Sequence, residues 1–407
     1  MKIENIPPII IGQGDNELRV YGFQGGMGVK ISGKRLAAAC MKADFLGVIA
    51  SVGLGVADGR FQREIKENEG RLIDASSDER KRIIEDMYVR CNVASLVDEI
   101  QGARDLSKDE HGKSYGALGV NVMCALREKE ILFRTALERG VEAIVSGAGI
   151  PKNLPELKLE YGITDTKLIP IVASAGYASL ICRLWEKKYN YYPDAIVVEG
   201  PQAGGHLGYT KEELSNPEFV RNGLERIVRE VIETLKLFEQ RAGRKIPVVC
   251  GGGIFYGGDI RQAVEEWKAA GAQMATRFVC TDECDADSRF KKAYINCKCP
   301  EEIALIDSPV GMPGRAITNQ FLREVQEGKK HPLGCIYRCL DPCNKPEDID
   351  NPPSYCIARA LIEAQRGNLQ NGFAFAGSKA YLCDEIIPVE ELVKYLDIEY
   401  AQNKRSS

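Results

Sequence analysis

Histidine is scarce in this chain: three residues in 407, at His111, His206 and His331. Tryptophan, with two, is scarcer. Long basic runs are missing, and the formal net charge of -4 gives no support for a nucleic-acid face. No apolar run is long enough to span a bilayer. The opening MKIENIPPII lacks a basic stretch followed by an apolar one, so the expectation is a cytoplasmic protein that meets neither membrane nor nucleic acid. Low-complexity linkers are also missing. What remains is an ordinary enzyme-like composition, with 28% charged residues.

Cysteine, by contrast, is abundant at fourteen. Eight thiols (Cys40, Cys91, Cys124, Cys182, Cys250, Cys280, Cys284 and Cys383) are scattered through otherwise regular segments, where a reduced thiol behaves as a small hydrophobe. The other six, Cys297, Cys299, Cys335, Cys339, Cys343 and Cys356, crowd into one part of the chain. Cys335, Cys339, Cys343 and Cys356 are spaced C-x3-C-x3-C-x12-C, and four soft thiolates suit an iron–sulfur cluster or a tetrahedral zinc. Unligated thiols are the alternative.

Eight apolar, β-rich runs recur, each followed by a small-residue turn and a helical pattern: YGFQ at 21, FLGVIASV at 45, YGALGVNVM at 115, EAIVSGAG at 142, KLIPIVAS at 167, AIVVEG at 195, IPVVCGG at 246 and GAQMATRF at 271. Near-continuous hydrophobic strands alternating with helices predict an α/β fold with a parallel sheet, and eight units favour a closed (β/α)8 TIM barrel over an open doubly wound sheet. The barrel is expected over residues 1–320, with a helical insertion at about 55–113 and a second insertion near 207–222 acting as a lid. Ser76 or Ser77 is the candidate N-cap of the first. Residues 321–407 read as a Cys-rich and helical appendage packed on the barrel, with helices at IARALIEAQ and PVEELVKYLDIEY.

In such a barrel the reactive groups sit at the carboxyl ends of the strands, and the last two ends commonly cradle a phosphate. VVCGGGIFYGG and GAQMATRF have the features of that cradle: Gly252 and Gly253 bring backbone N–H groups together, and Thr276 adds a hydroxyl. No Walker lysine follows, and GGGIFYGG does not fit a dinucleotide G-x-G-x-x-G. A mononucleotide is the simpler ligand. Flavin mononucleotide (FMN) fits, because Gln24, Asn121 and amide-rich turns suit a ring with several donors and acceptors.

The sixth strand end, VVEGPQAGGHLGY, carries His206 directly after Gly204 and Gly205, where the backbone is free to turn sharply against a ligand. An isolated histidine is usually structural or exposed, the reading given to His111 and His331. His206, walled by glycine, is instead the candidate acid/base residue, since an imidazole near pKa 6.5 can exchange a proton with a bound substrate. Glu199 at the same end binds a ribityl hydroxyl, orients His206 or simply faces the wet mouth. Arg277 neutralises phosphate or forms an ion pair behind the sheet.

GFQGGMG, GVNVM, SGAGIP, VVEGPQAGGHLGY, VVCGGGI and GAQMATRF, in this order over residues 15–320, resemble the nitronate monooxygenase (2-nitropropane dioxygenase) family. They resemble nearly as well its relative, flavin-dependent enoyl-acyl-carrier-protein reductase II. The resemblance implies an FMN-binding barrel with the AGGH histidine, His206, beside the flavin as acid/base residue or substrate anchor. Gly25 and Met27 would lie under the ring, Asn121 would contact it, and Gly147 and Gly149 would line the opposite side. Gly252, Gly253, Gln273, Met274 and Thr276 would hold the phosphate and ribityl chain. Two positions depart from the family pattern: Gln202 stands where a glutamate is frequent, and Ala275 where a glycine is.

Two enzyme readings follow from the resemblance: oxidation of an alkyl nitronate with O₂, or reduction of an enoyl thioester with NAD(P)H as electron donor. The partner is then a small nitronate or enoyl-thioester substrate, with a homo-oligomer left open. The cysteine spacing is similar to the motif that follows the barrel in iron–sulfur flavoenzymes of the 2,4-dienoyl-CoA reductase type. A different class, a non-catalytic barrel whose metal-stapled tail binds partners, is opposed by the intact AGGH and phosphate turns.

Overall fold

A computed structural model describes residues 2–112, 115–329, 337, 339–340, 343 and 354–405. Each apolar run becomes a strand: β3 (Phe23–Gln24), β4 (Leu46–Ala50), β5 (Ala117–Met123), β6 (Ala143–Gly147), β7 (Lys167–Val172), β8 (Ile196–Glu199), β10 (Val248–Gly251) and β11 (Gly271–Met274). They pair in parallel and close in the order β10-β11-β3-β4-β5-β6-β7-β8, the TIM barrel read from the sequence.

The barrel interior is packed by alternate strand residues, including Phe23, Leu46, Val48, Val145, Ile169, Val197 and Val249. An N-terminal hairpin, β1 (Ile9–Ile11) with β2 (Leu18–Val20), adds Ile9, Ile11 and Val20 to this core. A Cβ on Gly271 would overlap Ile9, so the hairpin lies against the amino-terminal end of β11 and closes the barrel floor. Outward-facing side chains join the larger core shared with the helices. Gly47 shows how close that packing is, because a Cβ there would overlap the Ala37 carbonyl of helix Lys34–Lys42.

The interval after β4 folds as four helices, Leu54–Ala57, Arg60–Glu67, Glu69–Asp74 and Ser77–Ser107, the last capped by Ser76, whose side chain accepts from Glu79 N. The 207–222 interval holds a short helix, Lys211–Leu214, and the start of the long helix Pro217–Ala242. Residues 279–320, polar and turn-rich in sequence, contain two further strands. β12 (Ile303–Asp307) and β13 (Pro313–Ile317) form an antiparallel sheet with β9 (Gly205–His206). No helix among the described residues is long and apolar enough to cross a membrane.

The C-terminal helix Val389–Gln402 buries Val389, Leu392, Val393 and Leu396, the stripe visible in its sequence. It is held by a bidentate ion pair: Arg277 donates to both Glu399 oxygens, at 2.8 and 3.1 Å. Glu399 also accepts from Gly257 N at 3.0 Å. Arg277 thus serves the ion-pair alternative. Glu399→Ala would leave the guanidinium, its side chain 14% exposed, with no carboxylate and only its bond to the Phe255 carbonyl among the bonds described, and is expected to lower stability by about 3 kcal/mol. Denaturant midpoints check this, and a loss below ~1 kcal/mol contradicts it.

Candidate functional site

The parallel barrel brings all eight strand ends to one rim, and a cavity of about 400 Å³ opens there. Gly25, Met27, Asn121, Gly147, Gly149, Glu199, Gly204, Gly205, His206, Gly252, Gly253, Gln273, Met274 and Thr276 all line it. Residues up to 251 positions apart in the chain, from Gly25 to Thr276, meet in one space. Gln24 does not face it: fully buried, it accepts from Val48 N at 2.9 Å and donates to the Gly25 carbonyl.

One side of the cavity is a cradle with no room for side chains. Gly252 and Gly253 adopt φ of +94° and +91°. A Cβ on Gly252 would stand 2.9 Å from both Ala203 N and Gly200 O, and one on Gly253 would overlap the Gln202 carboxamide. Among the described residues, the N–H groups of Gly252, Gly253 and Ala275 donate to no other group. Such converging donors are what a dianionic phosphate binds.

The cradle has a wall that sequence reading missed. The C-terminal appendage folds back so that Gly377 N donates to Thr276 Oγ1 at 3.1 Å and Ser378 N donates to Gln202 O at 3.0 Å. A Cβ on Gly204 would overlap the Ala376–Gly377 peptide. Only the glycine pair in AGGH and the single Gly377 in FAFAGS hinted at this, and nothing local connects them. Gln202, one of the departures, fastens this wall: its side chain donates to Val220 O at 3.0 Å, while Ser378 Oγ lies 3.3 Å from its oxygen.

His206 is held by a sheet rather than by a loose loop. β9 pairs with β13 at His206↔Gly314 and Gly205↔Arg315, and Leu207 N donates to Pro313 O at 2.8 Å. From β13 the buried Arg315 guanidinium donates at 2.7 Å to both the Pro201 and Ala203 carbonyls, pinning the turn that leads into the glycines. His206 Nε2 lies 2.7 Å from Ser308 Oγ, and the Phe375 ring packs edge-on against the imidazole at 5.0 Å. Ser308 and Phe375 lie about 100 and 170 residues downstream, so no local motif reveals them.

Burial separates the two ionisable groups of this mouth. It pulls His206 down to about 4 and pushes Glu199 up to about 7, so that the imidazole is neutral and the carboxyl is half-protonated near neutrality. Glu199 does not bond to His206; Tyr209 Oη instead donates to the Glu199 carbonyl at 2.5 Å. The rest of the cavity wall is largely apolar, with Met312, Leu361 and Phe375 beside Tyr337, whose ring lies 6.0 Å from that of Tyr88 on the helical insertion.

Of the cysteine tetrad, Cys335 lies outside the described residues, as does His331. Cys339 is buried on the cavity wall, and Arg127 N donates to its carbonyl at 3.2 Å. Among the described residues, no group of three or more His, Cys, Asp or Glu side chains is arranged to hold a metal ion. His111 is exposed beside Glu110, at 3.6 Å.

The family model described as nitronate monooxygenase matches residues 19–399. A nitronate monooxygenase of Pseudomonas aeruginosa is 30% identical over 206 residues, 50% of each chain. The chain spans about half the length of the curated relatives it matches. Two solved structures share the fold: FabK from Thermotoga maritima, at 23% identity and TM-score 0.63 over 93% of this chain and 92% of that one, and a nitroalkane oxidase from Streptomyces ansochromogenes, at 21% and 0.60 over 94% and 96%.

The opposed shifts of His206 and Glu199 have a measurable consequence in the ligand-free protein. Between pH 4.5 and 6.5, unfolding releases a proton from Glu199 and delivers one to His206, so their contributions to the pH dependence cancel. Glu199→Gln removes one side. Its stability should rise with pH across that window more steeply than the parent's, by about 1.4 kcal/mol per pH unit. Denaturant titrations at several pH values measure it; equal slopes contradict the shifts.

Proposed function

The chain belongs to the nitronate monooxygenase family, and from that premise we propose that this oxidoreductase is FMN-dependent and oxidises alkyl nitronates, with His206 as its acid/base residue. The observation that carries the reading is a neutral, sheet-held imidazole in the same cavity as a side-chain-free cradle of unpaired N–H groups.

The residues present fit an FMN. Gly252, Gly253, Ala275 and Thr276 would take its phosphate, with Gly377 and Gly204 closing the cradle. Gln273 and Met274 would follow the ribityl chain. Gly25, Met27, Asn121, Gly147 and Gly149 would surround the ring; a Cβ on Gly147 would overlap Ile171, and one on Gly149 would overlap Cys124. The bound flavin would supply the redox chemistry, accepting electrons from the substrate and passing them to O₂.

The protein's part is position and proton transfer. Neutral His206 has a lone pair available near pH 7, as removal of the proton from the carbon next to a nitro group requires when the substrate arrives as the neutral nitroalkane; a nitronate has already lost that proton. When Nε2–H donates to Ser308, that lone pair sits on Nδ1. Phe375, edge-on, and β9 fix the ring plane. The apolar wall keeps water from competing for the proton.

The apolar character of that wall favours a second reading, reduction of an enoyl thioester by NAD(P)H. Met312, Leu361 and Ile362 on the cavity wall suit contact with an acyl chain better than with a small polar nitroalkane.

One experiment separates the readings. In anaerobic protein carrying flavin, a nitronate should bleach the visible bands and NADH or NADPH should not. His206→Ala should keep its flavin and lose turnover of the neutral nitroalkane by about 10²- to 10⁴-fold. Bleaching by a nicotinamide, with recovery on an enoyl thioester, would establish the second reading. Undiminished turnover in the variant would remove His206 from the chemistry.

A further inference from the structure

Around the cavity, polarity is distributed in an unusual way. Glu199 is its one carboxyl, and no lysine or arginine lines it among the described residues. The nearest buried cation to the turn, Arg315, is committed to two backbone carbonyls. The Glu199 carboxyl itself accepts no hydrogen bond among the described residues, although it ends a barrel strand and faces the space where the ring of an FMN would lie.

The groups around Glu199 leave it without a charged partner. On either side, β7 contributes Ile171 and Val172, and β10 contributes Gly251. From the following turn come His206, engaged with Ser308, and Tyr209, whose hydroxyl is spent on the Glu199 carbonyl. Gln202 is neutral and tied to Val220 and Ser378. Glu213 and Arg226 act on Tyr209, whereas burial is the only influence that displaces Glu199. Elsewhere on the wall the ionisable groups are tyrosines and Cys339.

Two electrons and one proton leave a flavin ring with a negative charge. In most electrostatic designs a nearby cation would neutralise it; here the enclosed neighbour is another potential anion. Like charges in a site of low dielectric cannot both persist, and the cheapest relief is protonation of the carboxylate. We propose that Glu199 is the proton acceptor coupled to reduction of the bound cofactor, its carboxylate taking up one proton for each two electrons that enter the ring. This rests on the FMN reading above. The balance is two electrons and one proton into the ring and one proton onto a Glu199 oxygen, with both protons drawn from solvent. Reoxidation returns them. Because burial already holds this carboxyl near 7, the uptake is seen where the oxidised protein has it ionised, above that pH.

The test is the midpoint potential of the FMN-loaded protein against pH, above about pH 7, with xanthine and xanthine oxidase supplying electrons through a mediator dye. Two protons per two electrons make the wild-type potential fall with pH twice as steeply as one proton does. Glu199→Gln, which keeps size and cannot titrate, should fall at the one-proton slope. A one-proton slope in the wild type, or equal slopes in both proteins, overturns the proposal. A second readout needs no variant: the wild-type reduced-minus-oxidised infrared spectrum should gain a protonated carboxyl C=O band that shifts in D₂O, and its absence overturns the proposal as well. A chain that retains no flavin overturns the FMN reading itself, and is recognised by its lack of visible absorption before any potential is measured.

Discussion

The mouth of the barrel depends on one steric constraint: at Gly252 and Gly253 the backbone runs at positive φ against the Gly200–Ala203 turn with no space for a Cβ. That contact brings the ends of β8 and β10 together and, among the described residues, leaves N–H groups without a protein partner on the cavity wall. The same closeness recurs between Gly204 and the Ala376–Gly377 peptide, so the C-terminal appendage is part of the cradle and not a separate attachment. Anchoring of that appendage by Arg277 and Glu399 therefore bears on the ligand site from behind the sheet.

A second layer stands above the cradle. β9, β12 and β13 form a small sheet whose purpose is legible in its contacts: it fixes His206 through β13, Ser308 and Phe375 while Arg315 holds the preceding turn. Enclosure by this sheet and by the apolar wall removes water from His206 and Glu199, and so drives their protonation preferences in opposite directions. The two groups whose protonation burial shifts in opposite directions at this mouth lie seven residues apart in the chain.

The barrel was legible because buried parallel strands are near-continuous apolar runs, and all eight, from YGFQ to GAQMATRF, became staves. Rim residues such as Gly252 and His206 were legible for a related reason: strand ends in this fold face one way, so glycine and polar residues following an apolar run share a location. Ser308, Arg315, Phe375 and Gly377 were not. They sit in IALIDSPVGMPGRAI, whose β13 pairs with β9 across about 100 residues, and in FAFAGS, which meets β13 through an isolated bridge between Phe375 and Ala316, and such long-range antiparallel pairing leaves little local signature. Gln24 misled for the opposite reason. A polar residue at a strand end suggested a ligand contact, yet its carboxamide completes a backbone bond to Val48.

The central claim is that the side-chain-free cradle recognises a phosphate. The most direct measurement is an equilibrium titration of flavin-free protein with FMN and, in parallel, with riboflavin, which has the same ring and lacks the phosphate. One FMN per chain, with riboflavin binding at least ~100-fold more weakly, is the expected result, since several charge-assisted hydrogen bonds are lost together. Equal affinity for the two flavins would contradict the cradle.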